Sequence, residues 1–254
     1  MKTAAAQGLS RREALGRLAL GTAAVFWGCR RTRRSGNPTV SLAAVAAAHA
    51  AVTPSCVVRP QQTEGPYFID EKLYRSDIRS DPSDGALKPG VPLQLEFRVS
   101  RIDGASCSPL SGAVVDVWQC DALGLYSDVR DTNAGFDTRG KKFLRGYQTT
   151  DKNGVAEFLS IYPGWYPGRT VHIHFKVRTD PALRRAQEFV SQLYFDEAIT
   201  DQVHQRVPYN SKGRRSTIND TDFIFRRGGK QLIPTLTKDP HGYVAKFEIG
   251  LQLS

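Results

Sequence analysis

Alternation between apolar and polar residues restricts this chain to a fold built mainly from β-strands. From Val91 to Ser100, apolar side chains occupy every second position, which is the pattern of a half-buried strand. Aspartate–glycine, asparagine–glycine and proline–glycine pairs separate such segments and supply the turns. Further segments with strand character lie at 113–119, 155–161, 171–177, 192–195 and 243–253.

Many short strands with few helices predict an all-β domain. We expect an antiparallel β-sandwich of the immunoglobulin or prealbumin kind, with long loops and one or two short helices. Helical periodicity is limited to Pro181–Glu188 and Glu197–Gln205. The polar and basic stretch from Pro208 to Gly229 is expected to be a long surface loop, and loops of that length are more often functional or covering than idle.

The positive charge of the chain is concentrated near its N-terminus. The 254 residues carry a formal net charge of +10, yet eight of the 35 Lys and Arg residues and one of the 25 acidic residues lie in residues 1–50. Residues 51–254 therefore have a formal charge of only +3. This balance does not indicate a surface for a polyanion, so we expect no nucleic-acid partner.

The N-terminal segment has the pattern of an export leader. Ser10-Arg11-Arg12 precedes a mildly apolar run, Leu18–Trp27, which is too short to span a bilayer. A paired arginine before such a run is typical of a twin-arginine signal, and Ala48-His49-Ala50 offers a cleavage site. We predict a leader at 1–50, a folded domain at 51–254, and an exported protein with no membrane span after leader removal. A disordered cytosolic tail or a misplaced start codon is the alternative.

Two histidines one residue apart are the first candidates for chemistry. His172 and His174 lie in a strand segment, where the period of two puts both imidazoles on one face, about 7 Å apart. Such a pair can bind one metal ion, although alone it is a weak signal. The turn before it adds aromatic and basic side chains that a turn does not need: Tyr162, Trp165, Tyr166 and Arg169.

A loop tyrosine supplies a further candidate. The strand that contains Trp118 ends at Gln119, and Gly124 lets the chain turn so that Tyr126 stands in a loop. Tyrosine binds a metal as the phenolate, and its free pKa is about 10. Only a strong Lewis acid such as Fe(III) makes that ligation easy at neutral pH. A set of two tyrosines and two histidines therefore favours ferric iron over zinc or magnesium.

These residues stand in motifs that resemble those of the intradiol ring-cleavage dioxygenases, especially their exported catechol- or protocatechuate-dioxygenase-like branch. The resemblance covers about Cys56 to Leu253 and rests on the order and spacing of modest motifs. They are Thr63–Tyr67, Trp118 with Ala122-x-Gly-x-Tyr126-Ser, Leu144-Arg-Gly-x-Gln148-x-Thr-Asp151-x-x-Gly154, Ile161-x-Pro-Gly-x-Tyr166-Pro, Arg169-x-x-His172-x-His174 and Gln192–Phe195.

The resemblance implies a non-haem Fe(III) centre. Its ligands would be Tyr126, Tyr166, His172 and His174. The family's second tyrosine follows Pro-Gly-x, a position that Tyr166 occupies here, whereas Tyr162 precedes the Pro-Gly. The implied reaction uses O₂ to cleave a catechol-type substrate between its two hydroxylated carbons, giving a cis,cis-muconate-type diacid without a nicotinamide, flavin or external reductant.

The resemblance also implies roles for residues around the metal. Arg169 would stabilise negative charge that develops on the bound substrate, Tyr166 would accept a substrate proton, and Gln192 would line the pocket. Tyr67 and Trp165 are further pocket candidates, although packing of the N-terminal segment or of the turn explains them equally well.

Two other functions and several ordinary structural roles stay open. One is a non-enzymatic transthyretin-like binding module, and the other is a zinc hydrolase that uses both histidines and a carboxylate such as Asp151. We expect Tyr194 to be a core residue, and His204 and His241 to be ordinary surface histidines. One disulfide among the cysteines is one possibility and buried free thiols are the other. The pairing of Cys56, Cys107 and Cys120 and the lipidation of Cys29 are not determined by the sequence, nor is the oligomeric state.

Overall fold

The computed structural model describes residues 57–133, 135–179 and 187–253. The leader predicted at 1–50 and most of the helix predicted at 181–188 lie outside them and stay predictions; Glu188 itself begins a strand. The elements are β1 (Pro92–Asp103), β2 (Ser106–Pro109), β3 (Val114–Trp118), β4 (Arg130–Asp131), β5 (Phe136–Asp137), β6 (Arg145–Thr149), β7 (Val155–Ile161), β8 (His172–Arg178), β9 (Glu188–Tyr194), α1 (Glu197–His204), three 3₁₀ turns (Tyr209–Lys212, Asn219–Thr221, Gly229–Leu232), β10 (Thr235–Lys238) and β11 (Tyr243–Gln252).

Two sheets form a sandwich, which confirms the predicted fold class. One sheet has the order β6-β3-β8-β9. In the other, β1 pairs with β11 on one side and with β7 and then β2 on the other, and β10 lies beyond β11. Phe97 of β1 and Phe247 of β11 pack on Phe175 of β8, with ring centroids 5.2 and 5.3 Å apart. The apolar faces of the two sheets therefore meet in one core.

One strand pair departs from the antiparallel arrangement that we predict from the sequence. β1 runs parallel to β11, with Leu93 opposite Tyr243 and Phe97 opposite Phe247. The alternation in β1 correctly predicts the buried side chains, since Leu93, Phe97 and Val99 are fully buried. Alternation determines which face of a strand is buried, but it carries no information about the direction of the partner strand.

The outer face of the sheet that contains β8 is buried as well. Every residue of β8 except the last is buried, so side chains that point away from the core are also covered. The cover is residues 57–73, here called the N-terminal strap. The backbone N–H of Gln62 donates to the Val190 carbonyl at 2.9 Å, and Phe68 packs against Trp118 with centroids 4.8 Å apart. The strap thereby encloses a polar face on which a site can form.

The stretch from Pro208 to Gly229, for which we predict a long surface loop of functional or covering kind, forms a covering segment. Together with the 3₁₀ turn that follows it, it is here called the covering loop (208–232). Its buried side chains include Tyr209, Asn219, Asp222 and Phe225. The predicted helix before it forms as α1, where the side chain of Asp196 caps the first turn.

His204 at the end of α1 is not the surface residue that we predict from the sequence. Its ring stacks on Tyr209 with centroids 5.1 Å apart and 14° between planes, and its Nε2 donates to the Pro163 carbonyl at 3.1 Å. Burial lowers the pKa of His204 to about 4. His241, by contrast, is exposed as expected.

Acid should therefore weaken the fold through His204. The ordinary pKa of histidine is 6.5, and that of His204 in the folded protein is about 4. As the pH decreases from 6.5 to 4, the unfolded chain takes up a proton that the folded chain does not, so the free energy of unfolding decreases. The loss at pH 4.5 is about 2 kcal/mol, after allowance for partial exposure of the ring. His172 and His174 also lose stability in acid, equally in all variants, so in urea denaturation of metal-free protein we expect the acid loss of His204→Gln to be about 2 kcal/mol smaller than that of the wild type and of the exposed control His241→Gln. Equal losses in all three proteins would contradict the assignment.

The cysteines of the described part differ in state. Cys107 is disulfide-bonded. Cys120 is a buried free thiol, and burial raises its pKa. Of the two alternatives left open by the sequence, a disulfide therefore applies to Cys107 and a buried free thiol to Cys120.

Among the residues that the structure describes, no helix has the length and apolar character needed to cross a membrane.

Candidate functional site

The two candidate histidines lie side by side on the outer face of β8, under the strap. Trp118 of β3 is the cross-strand neighbour of His174 on one side, and Gln192 of β9 is its neighbour on the other. The Trp118 ring stacks on His174 with centroids 5.1 Å apart and 9° between planes. Gly65 of the strap lies so close that a Cβ there would be 3.0 Å from Cε1 of His174. The imidazole of His174 is thus held by the sheet and by the strap.

The two candidate tyrosines stand on loops that interlock through glycines. Gly124 has φ +82°, and a Cβ there would lie 2.1 Å from the carbonyl oxygen of Trp165. A Cβ on Gly164 would meet the backbone of the first loop at 2.4 Å, so only glycine fits at either position. Gly124 and Gly164 each precede a tyrosine, Tyr126 and Tyr166, by two residues. Their close approach therefore places the two phenols together.

Four donor atoms meet at one point: Tyr126 Oη, Tyr166 Oη, His172 Nε2 and His174 Nε2, here called the donor cluster. From His172 Nε2, the distance is 3.4 Å to Tyr126 Oη, 3.1 Å to Tyr166 Oη and 3.1 Å to His174 Nε2. Ligands bound at about 2.0–2.2 Å and separated by roughly 90–110° lie about 3.0–3.4 Å from one another. The structure brings all four predicted ligands together at a spacing that fits one metal ion.

The protonation of the cluster also fits a cation. Nδ1 of His172 lies 2.6 Å from the Thr170 carbonyl, so it carries the proton and leaves the lone pair on Nε2. Burial and the nearby Arg169 charge hold the pKa of His172 well below its usual value; burial and His172 do the same for the pKa of His174. A single lone pair cannot satisfy the neighbours that crowd His172 Nε2, whereas a cation accepts all four donors.

The two phenols of the cluster favour a strong Lewis acid. Burial raises the pKa of Tyr126 well above its usual value and raises that of Tyr166 to about 12. Binding as phenolates therefore demands an ion of high charge, and Fe(III) meets that demand better than zinc or magnesium.

The carboxylate needed for the zinc-hydrolase alternative is not at this site. Asp151 lies in an exposed turn, where its side chain accepts the N–H groups of Asn153 and Val155. Within the described residues, no group of three or more His, Cys, Asp and Glu side chains is placed to hold a metal. The candidate donor set here is phenolic and imidazole in character.

Arg169 borders the donor cluster and is fixed by buried partners. Its Nη1 lies 3.5 Å from His172 Nε2, and its Nη2 donates to Gln192 Oε1 at 2.5 Å. Its Nε donates to Asp222 Oδ2 at 2.8 Å, and the Asp222 side chain is fully buried. The charge of Arg169 is thereby held beside the cluster, next to the amide of Gln192.

Asp222 is a site residue that the sequence did not single out. Its Oδ2 also accepts the Thr170 N–H at 2.8 Å, while its Oδ1 accepts the N–H groups of Ile224 and Phe225 at 2.7 and 3.0 Å. One carboxylate thus ties the covering loop to the arginine turn. The only signal in the sequence was the length of the loop.

Tyr194 is buried as predicted, but it is more than a core residue. Its hydroxyl donates to Gln62 Oε1 at 2.6 Å and lies 3.0 Å from Gln192 Oε1 and 3.4 Å from Arg169 Nη2. Gln62 belongs to the strap, so this network joins the strap to the site.

The remaining candidate aromatic residues separate into two groups. Tyr67 stacks on Tyr126 with centroids 4.5 Å apart and donates to Asp131, so it borders the cluster. Trp165 packs partly buried against the core, with the Lys212 ammonium 5.2 Å above its ring. Tyr162 is fully buried, with its hydroxyl 2.7 Å from that of Thr200. Tyr162 is therefore a packing residue, which is consistent with the choice of Tyr166 as the second tyrosine of the donor cluster.

Comparison with known proteins identifies the family. The family model described as Dioxygenase matches residues 63–223, which include all four cluster residues, Arg169, Gln192 and Asp222. An intradiol ring-cleavage dioxygenase of Tetranychus urticae is 31% identical in sequence, with a TM-score of 0.64 over 78% of this chain and 94% of that one. The chain belongs to the intradiol ring-cleavage dioxygenase family.

Two other members of the intradiol dioxygenase family match part of this chain. Catechol 1,2-dioxygenase 1 of Acinetobacter lwoffii is 28% identical over 153 residues, which are 51% of this chain and 45% of that protein. The protocatechuate 3,4-dioxygenase beta chain of Burkholderia cepacia is 33% identical over 147 residues, 53% of this chain and 60% of that protein. The chain spans about half the length of these relatives.

Proposed function

We propose that this protein is a non-haem Fe(III) intradiol dioxygenase. It cleaves a catechol-type aromatic between the two hydroxylated carbons and yields a cis,cis-muconate-type diacid. The single observation that carries the proposal is the donor cluster, in which two phenol oxygens and the Nε2 atom of His174 all lie within 3.4 Å of His172 Nε2. Family membership supports the same reaction class.

The residues that hold the ion are Tyr126, Tyr166, His172 and His174. When bound, Fe(III) supplies the Lewis acidity that ionises the catechol and makes the bound ring reactive toward O₂. Both atoms of O₂ enter the product as the carbon–carbon bond breaks, so the reaction balances without an external reductant.

The other side chains act on charge, protons and water. Arg169 presents a fixed positive charge where negative charge develops on the substrate, and its partners hold it there so that no reorganisation is needed during the reaction. Tyr166, the less buried of the two phenols, accepts a substrate proton at Oη. Tyr67, Trp118 and the strap cover the cluster and exclude water from it.

We also propose that the protein is exported. The support is the twin-arginine pattern in residues 1–50 and the disulfide at Cys107, because disulfides persist in oxidising compartments. Fractionation of the producing cells should recover the enzyme outside the cytoplasm; a purely cytoplasmic pool would contradict export.

The function is tested on the purified protein. We expect one equivalent of iron per chain, a visible absorption band from tyrosinate coordination, and oxygen uptake in a 1:1 ratio with catechol as a diacid forms. A panel of catechol, protocatechuate, hydroxyquinol and chlorocatechols then identifies the preferred substrate within this class. A colourless protein that stays inactive after iron loading would instead favour the non-enzymatic binding module.

A further inference from the structure

The turn before β6 holds a residue in an unusual conformation. Leu144 is fully buried and has φ +54°, which lies in the left-handed region that a leucine rarely adopts. Its N–H donates to the Ile78 carbonyl at 2.7 Å, and its carbonyl accepts the Gln119 N–H at 3.1 Å. Strain of this kind persists only where the surrounding contacts determine it, and it concentrates at functional sites. The turn places the next residue, Arg145, at the start of β6.

Arg145 is a buried guanidinium with three neutral acceptors. The residue is 3% exposed, and each of its three side-chain nitrogens donates a hydrogen bond. Nε donates to Ser127 Oγ at 2.7 Å, Nη2 to the Ser127 carbonyl at 2.5 Å and Nη1 to the Tyr67 carbonyl at 2.9 Å. A buried charge is costly unless its N–H groups are satisfied, so the position of the guanidinium is coupled to all three oxygens.

The acceptors belong to two segments that meet at Tyr126. Ser127 is fully buried and directly follows Tyr126 in the chain, and Arg145 holds both its hydroxyl and its carbonyl. Tyr67 belongs to the strap, and its ring stacks on that of Tyr126 with centroids 4.5 Å apart. One guanidinium thus fixes the loop that carries a phenol of the donor cluster and the strap residue that covers this phenol.

Arg145 also adjoins the imidazole side of the donor cluster. Trp118 of β3 is the cross-strand neighbour of Arg145 on one side and of His174 on the other. The Trp118 ring stacks on His174 with 9° between the planes. A displacement of Arg145 would therefore reach a phenol donor through Ser127 and an imidazole donor through Trp118.

We propose that Arg145 is a positioning residue of the donor cluster. It acts through Ser127 and Tyr67 and holds Tyr126 in place for the ion, so the inference rests on the proposed function. The planar guanidinium can donate in three fixed directions at once, whereas a lysine ammonium is a point charge on a flexible stem. The role therefore requires the geometry of arginine and not only its charge.

Iron affinity tests this role, measured by competition with a chelator together with the visible band. The variants are Arg145→Lys, Arg145→Gln and the control Arg178→Lys. Arg178 pairs with Asp116 and with Asp70 of the strap, away from the loop of Tyr126. Loss of a partner that orients a ligand costs about 10–100-fold in metal affinity. We expect that loss in both Arg145 variants and wild-type affinity in Arg178→Lys.

Three results would overturn the positioning role. Wild-type iron affinity in Arg145→Lys would show that charge alone suffices. Arg145 variants that are less stable but bind iron normally would show a purely structural role. An equal loss of affinity in Arg178→Lys would show that any loosening of the strap has the same effect. If the Arg145 variants do not fold, Ser127→Ala decides, since it removes one of the three hydrogen bonds and should weaken iron binding about three- to ten-fold; unchanged binding would reject the role.

Hydrogen exchange of the metal-free protein separates this inference from the proposed function. If the wild type binds no iron, the proposed function fails and exchange decides the clamp alone. In Arg145→Lys, exchange should accelerate about ten-fold in residues 65–69 and 125–129 together, because one side chain holds both segments. Arg178→Lys should leave 125–129 unchanged. Acceleration in one segment only, or in neither, would reject the clamp.

Discussion

Tyr126→Phe should cost the protein its iron and its colour, whereas Tyr162→Phe should keep both. The two tyrosines are matched, since each is a fully buried phenol and each substitution removes one oxygen. They differ in what that oxygen meets. Tyr126 Oη lies 3.4 Å from His172 Nε2 in the donor cluster, and Tyr162 Oη pairs with the Thr200 hydroxyl at 2.7 Å.

The size of this effect follows from the chemistry of the ligand. A phenyl ring cannot donate to a metal, and even the loss of a partner beyond the ligands costs about 10–100-fold in metal affinity. We expect iron per chain in Tyr126→Phe to fall at least about ten-fold, with the visible band lost to a similar extent. Tyr162→Phe should lower the free energy of unfolding by about 1 kcal/mol for the lost hydrogen bond and leave the iron content unchanged.

Iron content by elemental analysis and the visible spectrum decide between these outcomes. His174→Ala should behave like Tyr126→Phe, because its Nε2 belongs to the same cluster. Loss of the chromophore on Tyr162→Phe alone would show that the second tyrosine has been assigned wrongly. Retention of full iron in both Tyr126→Phe and His174→Ala would reject the donor cluster as the metal site.

The sequence predicted the site well where its chemistry follows from local periodicity. The period of two in a strand predicts that His172 and His174 share a face, and the glycines that precede Tyr126 and Tyr166 mark the turns that carry the phenols. Each of these inferences needs only a few consecutive residues. The buried face of β1 was predicted for the same reason.

Features that depend on contacts distant in sequence could not be predicted in this way. The parallel direction of β11, the partial burial of His204 and the strap over β8 all result from where a separate segment packs. Asp222 is the functional example, because it reaches Arg169 from 53 residues away. An aspartate in a polar loop has no local pattern that distinguishes a buried ion-pair partner from a solvated side chain.

Asp222→Asn should leave the iron in place and slow the reaction. The substitution removes the charge that holds Arg169 Nε, while Gln192 and the hydroxyl of Tyr194 still engage the other end of the guanidinium. Loss of one preorganised group at developing charge costs about 10²–10³-fold in rate. In Asp222→Asn the arginine is displaced but still present. We therefore expect a smaller loss, on the order of 10–100-fold in kcat, with a smaller change in KM.

The exposed Asp220, in the 3₁₀ turn that Asp222 follows, provides the matched control, since Asp220→Asn makes the same chemical change without touching Arg169. Asp222→Asn should lower the free energy of unfolding by about 3 kcal/mol, because a buried ion pair is broken. A stability measurement alone therefore cannot distinguish a structural role from a positioning role.

The distinguishing measurement is kcat at saturating catechol on protein with full iron and an unchanged visible band. If Asp222→Asn is less stable but turns over at the wild-type rate, Asp222 only secures the covering loop. If its iron is lost as well, the carboxylate acts through the donor cluster rather than through Arg169.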